Sequence, residues 1–272
     1  ATSANALSIT FKDDGPSASA NAGVAGSAVL DETGGLDTVT ISAADISALF
    51  GAPVYGADGA GSVTYTLSAT GGAATGLWLT GQSGAASEIK LVQVSDFQYE
   101  GWTGGDTVSG TKAFTISIDG STGAVTVTQH ATLEHTTDGT GAAHDDALSL
   151  SGSAAISVVQ KVTDADGDYA TATSANALSI TFKDDGPSAG AAVAMMLDDE
   201  GLEHGIAGGQ GDIDGELTTA TGTLPYAFGA DGAGNVGFAS MNGVTGMVGT
   251  EQVTYSWDVG TSTLTAVSAT RG

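Results

Sequence analysis

The sequence predicts an all-β protein made of tandem β-sandwich units, each with a short helical insert. Three observations predict this. Short runs alternate apolar and polar residues with a period of two, as in half-buried strands. Gly, Asp-Gly and Ser-Gly pairs punctuate the runs as tight turns do, and Gly is the outlier of the composition at 42 of 272 residues. Long stretches of sequence also recur in tandem.

The repeat sets the organisation. Residues 1–18, ATSANALSITFKDDGPSA, return letter for letter at 172–189. YGADGAGSV, from Tyr55 to Val63, returns as FGADGAGNV, from Phe228 to Val236. Leu30-Asp31-Glu32 is echoed by Leu197-Asp198-Asp199-Glu200. The order is kept, so residues 1–18 are expected to be the tail strand and linker of an upstream repeat. Residues 19–189 then form a complete unit, and residues 190–272 the first half of a divergent, truncated one. A chain that opens inside a strand-like segment and stops in mid-unit is expected to be part of something longer. A unit of one large sandwich and a unit of two smaller ones both satisfy the pattern.

Within the complete unit, the alternating runs are Ser62 to Leu67, Glu88 to Val94, Ala113 to Ile118 and Ala124 to Thr128. Asp119-Gly120-Ser121-Thr122-Gly123 between the last two predicts a hairpin. Ser42 to Gly51 breaks the period. Ser42 as N-cap, Asp45 three residues on and Gly51 beyond the last turn predict a short helix. Ala154 to Thr163 and Tyr169 to Phe182 read as the last two strands, joined by an acidic turn.

The charge narrows the function. There are 31 acidic and 6 basic side chains, for a formal net charge of -25. Such a chain repels nucleic acid and anionic membrane surfaces and is relieved by bound cations. The plainer reading of the same charge is solubility. Cysteine is absent, which excludes disulfides and thiolate metal sites. No signal peptide and no apolar run long enough to span a bilayer occurs.

The acids cluster at turns and junctions. In Asp164-Ala165-Asp166-Gly167-Asp168, carboxylates at alternate positions can converge on one cation when the backbone curls at Gly167, and hard oxygen donors suit Ca²⁺. It is not an EF-hand, because Gly falls too early and no bidentate Glu follows. A solvated Asp-Gly turn is the alternative. Asp13-Asp14, repeated at Asp184-Asp185, sits in a Lys-Asp-Asp-Gly-Pro linker where Gly and Pro end the strand. Asp31-Glu32 and Asp198-Asp199-Glu200 follow each linker. Strand direction places Asp164, Asp166 and Asp168 at the incoming end of the unit beside Asp13 and Asp14, and Asp31 and Glu32 at the outgoing end beside Asp184 and Asp185. Each junction thus gathers acids from the upstream unit, the linker and the downstream unit. By analogy alone, this is the logic of calcium-braced cadherin chains, so the sandwiches are expected to be Ig-like or cadherin-like.

The strand ending in ALSITFKDDGPSA, the preceding VTDADGDYATA, LDDEGLEHGIAGGQGDIDGE, and the later YAFGADGAGNV and VTYSWD resemble the large extender repeats of type I-secreted RTX adhesins of Gram-negative bacteria. The resemblance spans essentially the whole chain. It implies a calcium-dependent β-sandwich array in a giant extracellular adhesin at the bacterial cell surface, associated with adhesion and biofilm. Neighbouring repeats of the same chain would be its partners, with no nucleic acid and no direct membrane insertion. The glycine-rich nonapeptide of that family's secretion region is absent; Gly208-Gly209-Gln210-Gly211-Asp212 is a single loose copy.

Other motifs carry less. Gly232-Ala233-Gly234-Asn235-Val236-Gly237 fits G-x-G-x-x-G but lies at a turn between strands with no helix after it. His130, His135, His144 and His204 lack zinc spacing. His144-Asp145-Asp146 has the donors to hold a metal but reads first as a solvated loop. Phe97, Tyr99 and Trp102 fit a core edge with one exposed ring better than a sugar platform. Hydrolase carboxylate pairs fit poorly with acids gathered at junctions. The expectation is a non-enzymatic, calcium-stabilised structural extender that projects distal adhesive domains. A glycan- or surface-binding adhesion module is the alternative.

Overall fold

The structure is a computed structural model that describes residues 8–135, 146–191, 193–195, 197, 208, 218–248 and 251–268. The chain divides into two compact units, Ala1–Asp231 and Gly232–Gly272. In the first, the strands are β1 (Ser27–Asp31), β2 (Thr38–Ile41), β3 (Ala60–Ser68), β4 (Ala73–Ala74), β5 (Lys90–Ser95), β6 (Gln98–Trp102), β7 (Lys112–Ile118), β8 (Val125–Gln129), β9 (Ala147–Ser149), β10 (Ser157–Asp164), β11 (Tyr169–Thr173), β12 (Ser179–Lys183), β13 (Ser188–Ala189) and β14 (Tyr226–Ala227). One helix, α1 (Ala43–Ser47), interrupts them.

The fold is an all-β sandwich. A six-stranded antiparallel sheet runs β2-β8-β7-β6-β5-β4, beside two three-stranded sheets, β1-β12-β9 and β11-β10-β3. Alternation along each strand sends one face inward. Leu30, Ile180 and Phe182, Leu67 and Val158, and Phe114, Ile116 and Val127 come from the three sheets and share one buried cluster. That single core makes the unit one sandwich. The predicted hairpin joins β7 to β8, with Ile118 opposite Val125. Asp119 Oδ1 accepts from the backbone N–H groups of Ser121 and Thr122. The Ser121 hydroxyl, which donates to the same oxygen at 2.7 Å, and then these backbone bonds hold its carboxyl down to about 2.

Two elements differ from expectation. The helix starts at the predicted cap, where Ser42 Oγ accepts from the Asp45 backbone N–H. It stops at Ser47, well before Gly51, because Phe50 leaves it to bridge to Ala20. The long run Tyr169 to Phe182 is two strands in different sheets. β11 pairs antiparallel with β10, whereas β12 pairs parallel with β1 and antiparallel with β9. Ser174 makes the switch: its hydroxyl accepts from Val158 N–H and donates to the Asn176 carbonyl. The parallel pair is in register from Ser27 opposite Ser179 to Asp31 opposite Lys183.

Residues 226–227 return to pair with residues 188–189, which carries the first compact unit past the repeat boundary to Asp231. In the second unit, β15 (Thr245–Val248), β16 (Glu251–Asp258) and β17 (Thr263–Ser268) form an antiparallel meander, with Phe238 edge-on to Trp257 at 5.6 Å. No helix among the described residues is long and apolar enough to cross a membrane.

Identical sequences have different fates. Ile180 and Phe182 in β12 are fully buried, and Phe182 stacks obliquely on Phe114 at 5.4 Å. Their repeat counterparts Ile9 and Phe11 are 67% and 92% exposed. The difference is the partner strands: β1 and β9 flank only the second copy. Phe182→Ala is therefore expected to lower the stability of the chain by about 3–5 kcal/mol in urea unfolding, while Phe11→Ala leaves it within about 0.5 kcal/mol.

Candidate metal centres

At the incoming end, the β10–β11 turn is built around Asp164. Its backbone N–H donates to the Asp168 carbonyl at 3.0 Å, and its Oδ1 accepts from Gly167 N–H at 3.1 Å. Gly167 takes φ 110°, which lets the turn curl. Asp164 is buried, and its Oδ2 has no hydrogen-bond partner among the described residues. Oxygens of Asp164, Asp166 and Asp168 lie within 4.8 Å of one another.

Two further segments close on this turn. The ladder between β10 and β3 shifts register at Asp164, and Ala165 N–H donates to the Gly59 carbonyl at 3.1 Å. A Cβ at Gly61 would overlap the backbone of Thr163 and Asp164, so glycine permits the approach. This brings Asp58 to the turn. The linker is laid against the same loop: Ser17 N–H donates to the Val54 carbonyl at 2.8 Å, and a Cβ at Gly56 would overlap the Asp14 carbonyl. Asp13, Asp58 and Asp166 form a second group of oxygens within 4.8 Å.

Crowding shows in the titration. Desolvation, then the charges of Asp13 and Asp166, push the Asp58 carboxyl up. A hydrogen-bond contact with Asp164 raises Asp166, and one with Asp13 raises Asp168, each reinforced by neighbouring charge.

The outgoing end is built by the parallel pair. Because Asp31 sits opposite Lys183, the next residues, Glu32 and Asp184, emerge side by side, and Glu32 N–H donates to the Lys183 carbonyl at 3.2 Å. Glu32 is fully buried. Its Oε1 accepts from the Gln129 side chain and from Leu133 N–H, whereas its Oε2 has no hydrogen-bond partner among the described residues. Burial first, then the Asp231 charge, push its carboxyl up to about 7 against the opposing effects of Leu133, Gln129 and His135. Asp184 is raised by burial, with His135 opposing and Asp231 and Asp146 adding to the shift. Glu32, Asp184 and Asp231 form one group of ligand atoms within 4.8 Å; His135, Asp146 and Asp184 form another.

Asp231 reaches this end through the same device as Asp58. Ser188 pairs with Ala227 as Ser17 pairs with Val54, and a Cβ at Gly229 would overlap the Asp185 carbonyl as one at Gly56 would overlap that of Asp14. Gly56 and Gly229 take φ 76° and 79°.

Of the sequence-predicted ligands, Asp13, Asp164, Asp166 and Asp168 converge at one end, and Glu32 and Asp184 at the other. Asp31 does not join them: its Oδ1 caps its own turn through Thr33 N–H at 2.9 Å, and its carboxyl is lowered first by the Thr33 side chain and then by that N–H. Asp14 and Asp185 contribute backbone carbonyls under the loop glycines rather than clustered carboxylates. Asp198, Asp199 and Glu200 lie outside the described residues, as do His144 and His204. Sequence reasoning missed Asp58 and Asp231, set His135 aside for lack of zinc spacing, and read Asp146 first as part of a solvated loop. The first two stand inside the repeated G-A-D-G-A-G string, where a signal existed. Among the aromatics, Tyr99 is buried, Phe97 is 45% exposed, and Trp102 donates to Glu100 at 2.7 Å.

Residues 27–177 match the family model described as a domain of unknown function, DUF5801, and the chain belongs to that family. No curated protein and no solved structure matches it.

With chelator present, stability is expected to fall as pH rises from about 4.5 to about 7, because folded Glu32 keeps its proton in a window where the unfolded chain has released it. Glu32→Gln should flatten that part of the pH–stability curve, measured by urea unfolding at a series of pH values.

Proposed function

We propose that this chain is a calcium-stabilised structural extender from a giant bacterial surface adhesin, exported by type I secretion and projecting distal adhesive domains from the cell. The observation that carries the reading is the recurrence of one linker–loop cassette at both ends of the complete repeat. In repeat register, Asp13 corresponds to Asp184 and Asp58 to Asp231, and each pair is brought together by the same strand bridge and the same glycine cradle. A junction between two whole units joins what the two ends carry separately: Glu32 from the upstream unit, the linker and loop aspartates, and the Asp164–Asp168 turn of the downstream unit.

The donor set fits calcium. At the incoming end it is made of carboxylate oxygens, hard ligands that a large cation can gather from several directions. The buried Asp164 Oδ2 lacks a partner that an ion would supply. Ile9 and Phe11 fit as part of the core of a preceding unit, the place their copies Ile180 and Phe182 occupy here. An ion held by side chains from both units and the linker restricts how the units swing, and the proline in each linker already limits its backbone. Tandem copying lengthens a spacer, whereas it adds little to a catalytic site.

Calcium at about 100 times its Kd should raise the melting temperature by about 5–10 °C over chelator. Magnesium should do so poorly, because of its stricter octahedral demand. Asp166→Ala and Asp58→Asn should each lose much of that gain while leaving the melting temperature in chelator unchanged or higher. An identical melting curve in calcium and chelator would sink the metal reading.

For a chain carrying two complete units, small-angle scattering should show a larger maximum dimension and a narrower spread in calcium. Equal dimensions in chelator would mean that the linker alone sets the geometry.

A further inference from the structure

The two ends of the unit offer different chemistry. The incoming end presents only carboxylates, mostly exposed, whereas the outgoing end contains an imidazole. His135 is only 8% exposed, and neither ring nitrogen makes a hydrogen bond among the described residues. Its Nδ1 stands 2.9 Å from Asp146 Oδ1, an ion-pair contact when the ring is protonated, but without hydrogen-bond alignment, and that oxygen too is buried with no hydrogen bond among the described residues. Asp184 Oδ1, in a side chain 7% exposed, is likewise unpartnered. An imidazole and two carboxylates that meet with buried atoms lacking hydrogen bonds are arranged as ligands around a shared point. Tetrahedral ligands at about 2.1 Å from an ion stand about 3.4 Å apart, so Nδ1 and Oδ1 need to open by only about half an ångström to share one.

The placement is built in. Glu134 N–H donates to the Trp78 carbonyl at 2.9 Å, and Leu133 bridges to Leu79, which fixes the segment entering His135. Asp184 N–H donates to the Asp146 carbonyl at 3.2 Å, which ties the two aspartates together. Glu32 Oε2, also unpartnered, and Asp231 lie on the other side of Asp184.

We infer that His135, Asp146 and Asp184 form a site for a divalent transition-metal ion of the zinc class, with Asp184 shared between it and the Glu32 and Asp231 oxygens that the junction reading gives to calcium. The chemistry favours that assignment. Calcium takes six to eight oxygens, and a neutral imidazole is a poor donor to it. Zinc-class ions accept nitrogen and carboxylate together at low coordination number. The inference rests on the junction reading only for its setting.

The test uses the full chain, stripped with chelator and then held in excess Ca²⁺. Co²⁺ should bind with visible d–d bands, be displaced by Zn²⁺ and resist Ca²⁺. His135→Gln and Asp146→Asn should each weaken Co²⁺ binding by at least about tenfold, with folding checked by circular dichroism. Asp166→Ala should weaken the calcium-dependent melting shift and leave Co²⁺ binding unchanged. In the wild-type chain, Zn²⁺ should move the His135 ring resonances in spectra of ¹⁵N-histidine-labelled protein, a readout independent of whether the variants fold. Displacement of Co²⁺ by Ca²⁺, Co²⁺ binding that survives both variants, or unmoved His135 resonances would overturn the inference. A missing calcium shift alongside intact Co²⁺ binding would instead defeat the calcium reading and leave this one standing.

Discussion

The constraint on which the rest of the structure depends is negative charge without enough positive charge to meet it. Like charges repel more strongly as they approach and as the surrounding medium dries. A chain with 31 acidic and 6 basic side chains can spread its carboxylates over a wet surface or gather them around cations. This fold gathers several of them at the two ends of a sandwich. Three of its five lysines lie elsewhere, Lys90 paired with Glu88, Lys112 with Glu100 and Lys161 over the Tyr169 ring, so only Lys12 and Lys183, one in each linker, stand beside the gathered acids. Burial first, with neighbouring carboxylates adding to it, raises the carboxyls of Glu32, Asp184 and Asp58, and contact between carboxyls raises those of Asp166 and Asp168.

The sandwich turns a linear pattern into those two ends. The β10–β11 hairpin brings three aspartates back at one end, and a register shift against β3 lets the Asp58 loop lean over them. At the other end, the parallel alignment of β1 and β12 sets Glu32 beside Asp184, so residues far apart in the chain leave the sheet at one point. Glycines then set the close approaches. Gly56, Gly61 and Gly229 stand where a side chain would strike backbone, and they lie in the loops that carry Asp58 and Asp231. The cassette is thus encoded as much by missing side chains as by charged ones.

The identical segments show how far a local sequence reaches. The string from Ser8 to Asp14 is the string from Ser179 to Asp185, yet one lies exposed and the other is a buried strand capped by an acidic junction. Alternation of Ile, Thr and Phe makes both fit to be strands. Only neighbouring strands make one of them so, because hydrogen-bond ladders and apolar burial are supplied by partners.

By itself, the sequence determined the all-β class, the period of the main strands, the β7–β8 hairpin, the Ser42 cap and the repeat register. These are local or self-repeating signals: side chains alternate about a strand, turns need Gly and Asp, and copies align letter by letter. It also determined that Asp164, Asp166 and Asp168 share a turn, since alternate positions around Gly167 need no distant partner. The tertiary structure alone decided that the run Tyr169 to Phe182 breaks at Ser174 and changes sheets. It also decided that β1 and β12 run parallel, and that Asp31 faces its own turn while Glu32 points into the core. His135 and Asp146 come together for the same reason. No spacing in the chain relates them to each other or to Asp184; they meet because separate segments close on one end of a single core, a contact set by packing and register rather than by any local rule.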